Sequence, residues 1–71
     1  MTKKYTKPFV VLDMFDDLKK GNIINSKTCY LKYGISESTF YRYINDIRDY
    51  MWEKHLQEVV FDSHGNTYKI G

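Results

Sequence analysis

Ser36, Glu37, Ser38, Thr39, Tyr41, Arg42 and Asn45 crowd one short stretch of the chain. At about 100° per residue, Glu37, Ser38, Tyr41, Arg42, Asn45 and Arg48 share one face of a helix. Their common chemistry is hydrogen bonding, with cations among the donors. Arg offers a rigid planar fork, Asn a paired donor and acceptor, Glu an acceptor, and Ser and Thr short hydroxyls. Such a set recognises planar polar edges and anions without making or breaking bonds. The opposite face carries Phe40, Ile44, Ile47 and Met51, with Tyr43 and Tyr50 on its edge. One side is built to pack and the other to recognise.

Bond-making chemistry has little support elsewhere. Cys29, His55 and His64 fit no common zinc spacing, and Cys29 reads as a small buried apolar residue. A nucleophile needs a base and an orienting group, and a helical domain of 71 residues offers no cleft deep enough to shelter them. Asp16 and Asp17 are adjacent and point different ways. We expect no enzyme, no catalytic residue, no metal and no cofactor.

Seventy-one residues make one small domain. Hydrophobic residues at 42% and aromatics at 17% suffice for a compact core. The single Cys excludes an internal disulfide, so packing alone holds the fold. No apolar run approaches the roughly 20 residues of a membrane span, and no signal-peptide pattern follows the basic N-terminus. The expected compartment is cytoplasmic. Up to Arg42 the chain has eight Lys and Arg against four Asp and Glu; beyond it, three against five. The basic half contains the start of the recognition stretch, which favours a polyanionic partner.

Residues 1–7 form a basic arm with Lys3, Lys4 and Lys7, either a disordered terminus or a phosphate-touching tail. Pro8 suits a first helical turn, and helix 1 spans residues 8–20. It packs through Val11, Leu12, Met14, Phe15 and Leu18, shows Asp13, Asp16, Asp17 and Lys20 to solvent, and stops at Gly21. Ile23 and Ile24 favour a two- or three-residue strand. Ser26 caps a short helix 2, residues 26–33, with Cys29, Tyr30 and Tyr33 inward. A tight turn through Gly34 and Ile35 leads to Ser36, which caps helix 3, residues 36–53. Residues 57–70 form a hairpin: a strand within Leu56–Phe61, turn formers over Asp62–Asn66, and a strand over Thr67–Ile70. Three helices followed by a two-stranded wing define a mainly α fold with a small β hairpin, an α+β winged helix-turn-helix.

The segment SKTCYLKYGISESTFYRYINDI resembles the helix-turn-helix of DeoR-type bacterial regulators, above all those with a WYL ligand-sensing domain. Gly34, Ile35 and Ser36 fill that family's turn, and Thr39, Phe40, Arg42 and Ile44 its helix-3 pattern. VVFDSHGNTYKI resembles its wing, ending in Tyr68 and Ile70. Two positions depart: Tyr30 stands where helix 2 usually has Ala packed against helix 3, and Tyr43 replaces the usual Asp after Arg42. The resemblance implies a cytoplasmic transcriptional regulator whose partner is double-stranded DNA. It leaves the chain either as the reading domain of a longer protein with a ligand-sensing domain, or as a small stand-alone regulator. A homodimer is the arrangement strong specificity would need.

In that arrangement the first turns of helix 3 lie in the major groove. Arg42 would pair with guanine O6 and N7 or a phosphate, Asn45 with adenine, and Glu37 with cytosine N4. Ser36, Ser38, Thr39 and Tyr41 complete the helix contacts. Lys27 and Thr28 at the start of helix 2, and His64, Asn66 and Lys69 in the wing, are candidates for the DNA backbone and minor groove. Trp52 projects from the polar face, and the wing is expected to cover it. The competing expectation is a winged-helix protein-interaction module without base-specific DNA binding, motivated by the low net charge, the acidic helix 1 and Trp52.

Overall fold

The computed structural model describes residues 5–71, so Lys3 and Lys4 of the basic arm lie outside the described residues. Three helices, α1 (Lys7–Lys19), α2 (Ser26–Tyr33) and α3 (Glu37–His55), precede two strands, β1 (Val59–Asp62) and β2 (Thr67–Ile70). The strands pair antiparallel with Val59 opposite Ile70 and Asp62 opposite Thr67. Ile24 adds one bridge to Tyr68, donating and accepting at 3.0 and 2.7 Å. The β-branched pair Ile23–Ile24 thus contributes a third, single-residue edge. Three helices closed by an antiparallel hairpin form the expected winged-helix layout.

Each helix starts where a side-chain acceptor meets a free amide. Thr6 accepts from the Phe9 amide at 3.4 Å, and Pro8 occupies the first turn. Lys7 therefore belongs to α1 rather than to an arm, and its amino group sits 5.7 Å over the Tyr43 ring. Helix 2 is capped by Asn25 and not by Ser26. Asn25 Oδ1 accepts from the Thr28 amide at 2.7 Å, and Thr28 Oγ1 accepts from the Asn25 amide at 3.3 Å, a reciprocal capping box. Ser36 caps α3 as expected, accepting from the Thr39 amide at 3.2 Å.

The helix ends differ from expectation by small amounts. α1 stops at Lys19, and Lys20 is its right-handed cap, with Gly21 taking φ +86 just beyond. Gly34 closes α2 at φ +73. α3 runs past residue 53 to His55, and Leu56 is its left-handed cap at φ +53 rather than the start of a strand. A Leu in that conformation is strained by contact of its Cβ with its own backbone, and it is 77% exposed, so it recovers little by packing. Leu56→Gly should therefore raise the stability of the chain by about 0.5–1 kcal/mol, read as a higher midpoint in urea with an unchanged slope.

The core gathers Val10, Met14 and Leu18 from α1, Ile24, Cys29 from α2, Phe40, Ile44, Ile47 and Met51 from α3, and Val59 from β1. The i, i+4, i+8 spacing of Val10, Met14 and Leu18 puts these three on the inner stripe of α1. Val11 and Phe15 pack half-buried on its edge, whereas Leu12, expected inside, is 66% exposed. On α2 the buried position is Cys29, whose thiol is pushed up to about 11 by burial, while Tyr30 turns outward at 61% exposure. The small sulfhydryl thus fills the inward position of α2, and the bulky ring next to it faces out.

The acidic face of α1 is not simply solvated. Asp13 accepts from the Tyr33 hydroxyl and pairs with Lys32 at 3.1 Å, with Asp17 at 3.8 Å from the same ammonium. These contacts fasten α2 to α1. The Tyr33 hydroxyl bond, then Lys32, hold the Asp13 carboxyl below its ordinary value. A carboxyl whose folded value is depressed releases its proton more readily when folded, so the unfolded chain binds more protons in acid. Its contribution is complete above the unfolded value near 3.8 and is lost as pH falls through the folded one. Thermal midpoints of Asp13→Asn should fall less steeply than wild type between about pH 4 and 2.

Candidate nucleic-acid interface

The first turns of α3 present Glu37, Ser38, Tyr41, Arg42 and Asn45 on the surface, all exposed, on the side away from Phe40, Ile44 and Ile47. Among the described residues, no carboxylate forms an ion pair with Arg42. Its fork is free to meet an acceptor in the plane of a base or a phosphate. Asn45 lies one turn on and is exposed as well.

Three hydroxyls of the expected set are committed to the fold. Thr39 is half-buried, and Ser36 Oγ lies 3.0 Å from Thr39 Oγ1 while also capping the helix. Thr28 spends its hydroxyl in the Asn25 capping box. These three residues hold the helix starts, which is a sufficient reason for their types. Lys27, by contrast, is exposed and borders a shallow concavity with Ser26, Tyr30 and Glu37. It stands where α2 and α3 begin side by side.

The hairpin loop carries His64 and Asn66, both exposed, with Lys69 exposed on β2. The His64 amide donates to Asp62 Oδ1 at 3.0 Å. Asn66, not Gly65, takes the left-handed conformation at φ +53, and Asn tolerates that conformation better than most residues. A Cβ on Gly65 would meet Thr67 at an ordinary 3.4 Å. The Gly at the tip therefore meets no steric need of its own.

The wing lies along one flank of α3. Tyr68 packs its ring 5.7 Å from Phe40 and 5.0 Å from Phe61, and Tyr41 stands edge-on to Phe40 at 5.5 Å. Further along, Arg48, Asp49 and Trp52 of α3 face Glu58 and Val59 across a concavity. Trp52 is 60% exposed there, so the wing borders it without covering it. The place of Arg48 and Tyr68 beside each other depends on where the wing docks. Arg48 does fall on the polar face by periodicity, which was the available signal.

On another side, Val11, Leu12, Phe15, Ile47 and Tyr50 line a mostly apolar groove between α1 and α3, with Asp46 at its rim. Phe15 and Tyr50 meet edge to face at 5.6 Å. Among the described residues no group of His, Cys, Asp and Glu is placed to hold a metal ion, and no helix is long and apolar enough to cross a membrane.

The class the architecture defines is thus a winged-helix layout whose third helix carries an exposed polar, cation-bearing face. No family model, curated protein or solved structure matches this chain.

Proposed function

We propose that this chain is a sequence-specific double-stranded DNA-binding domain of a bacterial transcriptional regulator, of the DeoR type its sequence resembles. The observation that carries the reading is the exposed start of α3, where Arg42 has no carboxylate partner among the described residues and Asn45 follows on the same face. Arg42 reads guanine, Asn45 adenine and Glu37 cytosine. The wing, with His64, Asn66 and Lys69, meets the flanking backbone. Two chains on a two-fold-symmetric site would supply the specificity that one short helix lacks. A ligand-sensing domain is the natural companion if the chain belongs to a longer regulator. Fluorescence anisotropy with a labelled duplex at two salt concentrations tests the reading. Affinity should fall steeply with salt, because each neutralised phosphate releases condensed counterions. Binding that is absent, or indifferent to salt, refutes it.

A second reading, protein docking, is favoured by two observations: Trp52 stands exposed, and the α1–α3 groove presents Leu12, Phe15 and Tyr50. It predicts that Trp52→Ala or Leu12→Ser impairs function while Arg42→Ala does not.

A further inference from the structure

On the polar face of α3, where it meets the wing, three donors come together. Tyr41 and Tyr68 pack on the same Phe40 ring, one from the helix and one from β2. Arg48 lies two turns beyond Tyr41 on the same flank and borders the wing at Val59. Among the described residues, neither tyrosine hydroxyl has a hydrogen-bond partner, and Arg48 is ion-paired with no carboxylate even though Asp49 and Glu58 border the same concavity. Two neutral hydroxyls and a guanidinium left without acceptors on one narrow strip make a seat for an anion.

We infer that the Tyr41–Tyr68–Arg48 strip between α3 and the wing binds one backbone phosphate of the DNA strand that runs along the recognition helix. The inference rests on the DNA-binding reading above and names the contact that fixes the helix in its groove. Arg48 donates to the phosphate oxygens and supplies the charge, and the two hydroxyls donate from either side. Burial raises Tyr68 above the ordinary phenol value, with Tyr41 raising it further and Arg48 opposing, so at neutral pH its hydroxyl keeps the proton it donates. A phosphate is the same on every base pair. The strip's contribution is therefore the same on every sequence.

The test is a titration of the full chain, wild type, Arg48→Gln and Tyr68→Phe, against a duplex at several salt concentrations. Circular dichroism melting confirms that each variant is folded. Arg48→Gln should weaken binding about tenfold on preferred and scrambled duplexes alike, and should reduce the salt slope by about 1. Tyr68→Phe should weaken binding severalfold with the slope unchanged. A duplex in which one phosphate is replaced by a neutral methylphosphonate should weaken wild type and leave Arg48→Gln no weaker than it already is. If wild type binds duplex but both variants match it in affinity and slope, the phosphate seat is wrong and the DNA-binding reading stands. If wild type binds no duplex, both fall.

Discussion

Phe40→Ala should unfold the chain, or leave it folded only in part, at room temperature. Phe40 is fully buried and among the largest side chains of the core. It touches the wing through Tyr68 and stands edge-on to Tyr41 of its own helix. Truncating a buried Phe costs about 3–5 kcal/mol, as lost transfer energy plus the cavity left behind. A domain of 71 residues has little more than that to lose, since native stability runs at roughly 0.05–0.15 kcal/mol per residue. Here the cavity is also hard to refill, because its walls come from several elements packed into the same core. Urea unfolding followed by circular dichroism is the check. A variant with the wild-type midpoint would mean that the wing and α3 are held together by something other than this ring.

Arg42→Ala should leave the fold intact and remove preference for the DNA sequence. The side chain is exposed and makes no ion pair among the described residues, so its loss costs the folded chain almost nothing. A bidentate contact to guanine discriminates against the wrong base by about 1–3 kcal/mol. Affinity for the preferred duplex should drop by about ten- to a hundredfold, toward the affinity for a scrambled one. The contrast with Arg48→Gln is the informative part. One substitution levels the difference between sequences, and the other lowers affinity equally on all of them. If Arg42→Ala instead keeps full sequence preference, α3 is not the reading element.

Much of this architecture is legible in the chain because its signals are local. Phe40, Ile44, Ile47 and Met51 repeat at helical spacing, and all four are buried. Ser36, Gly21 and Gly34 are residue types that begin and end helices, and they do so here. Other features depend on contacts distant in sequence. Leu12 continues the apolar pattern of α1 but lies just off the stripe that Val10, Met14 and Leu18 bury. Cys29 and Tyr30 are neighbours, and only the docking of α2 on the core decides that the smaller one goes inside. Asp13 reads as a solvated charge until Tyr33 and Lys32 arrive from α2. Among candidate contacts, the exposed set of Glu37, Ser38, Tyr41, Arg42 and Asn45 followed from periodicity. Thr28 and Thr39 share the residue types of phosphate ligands, yet they are consumed as helix caps. Arg48 and Tyr68 become neighbours through the wing, a distance along the chain that no helical repeat bridges.

The most direct test of sequence-specific reading is selection of binding duplexes from a randomised pool with the 71-residue chain, followed by titration of the winning sequence at two salt concentrations. The expected result is an enriched motif containing guanine at the position lost in Arg42→Ala, bound more tightly than a scrambled duplex and more weakly at high salt. A motif repeated about one helical turn apart would show that two chains read it together. A pool that returns unenriched, with no salt-dependent binding to any duplex, would contradict the account and leave protein docking through Trp52 or the α1–α3 groove as the reading to pursue.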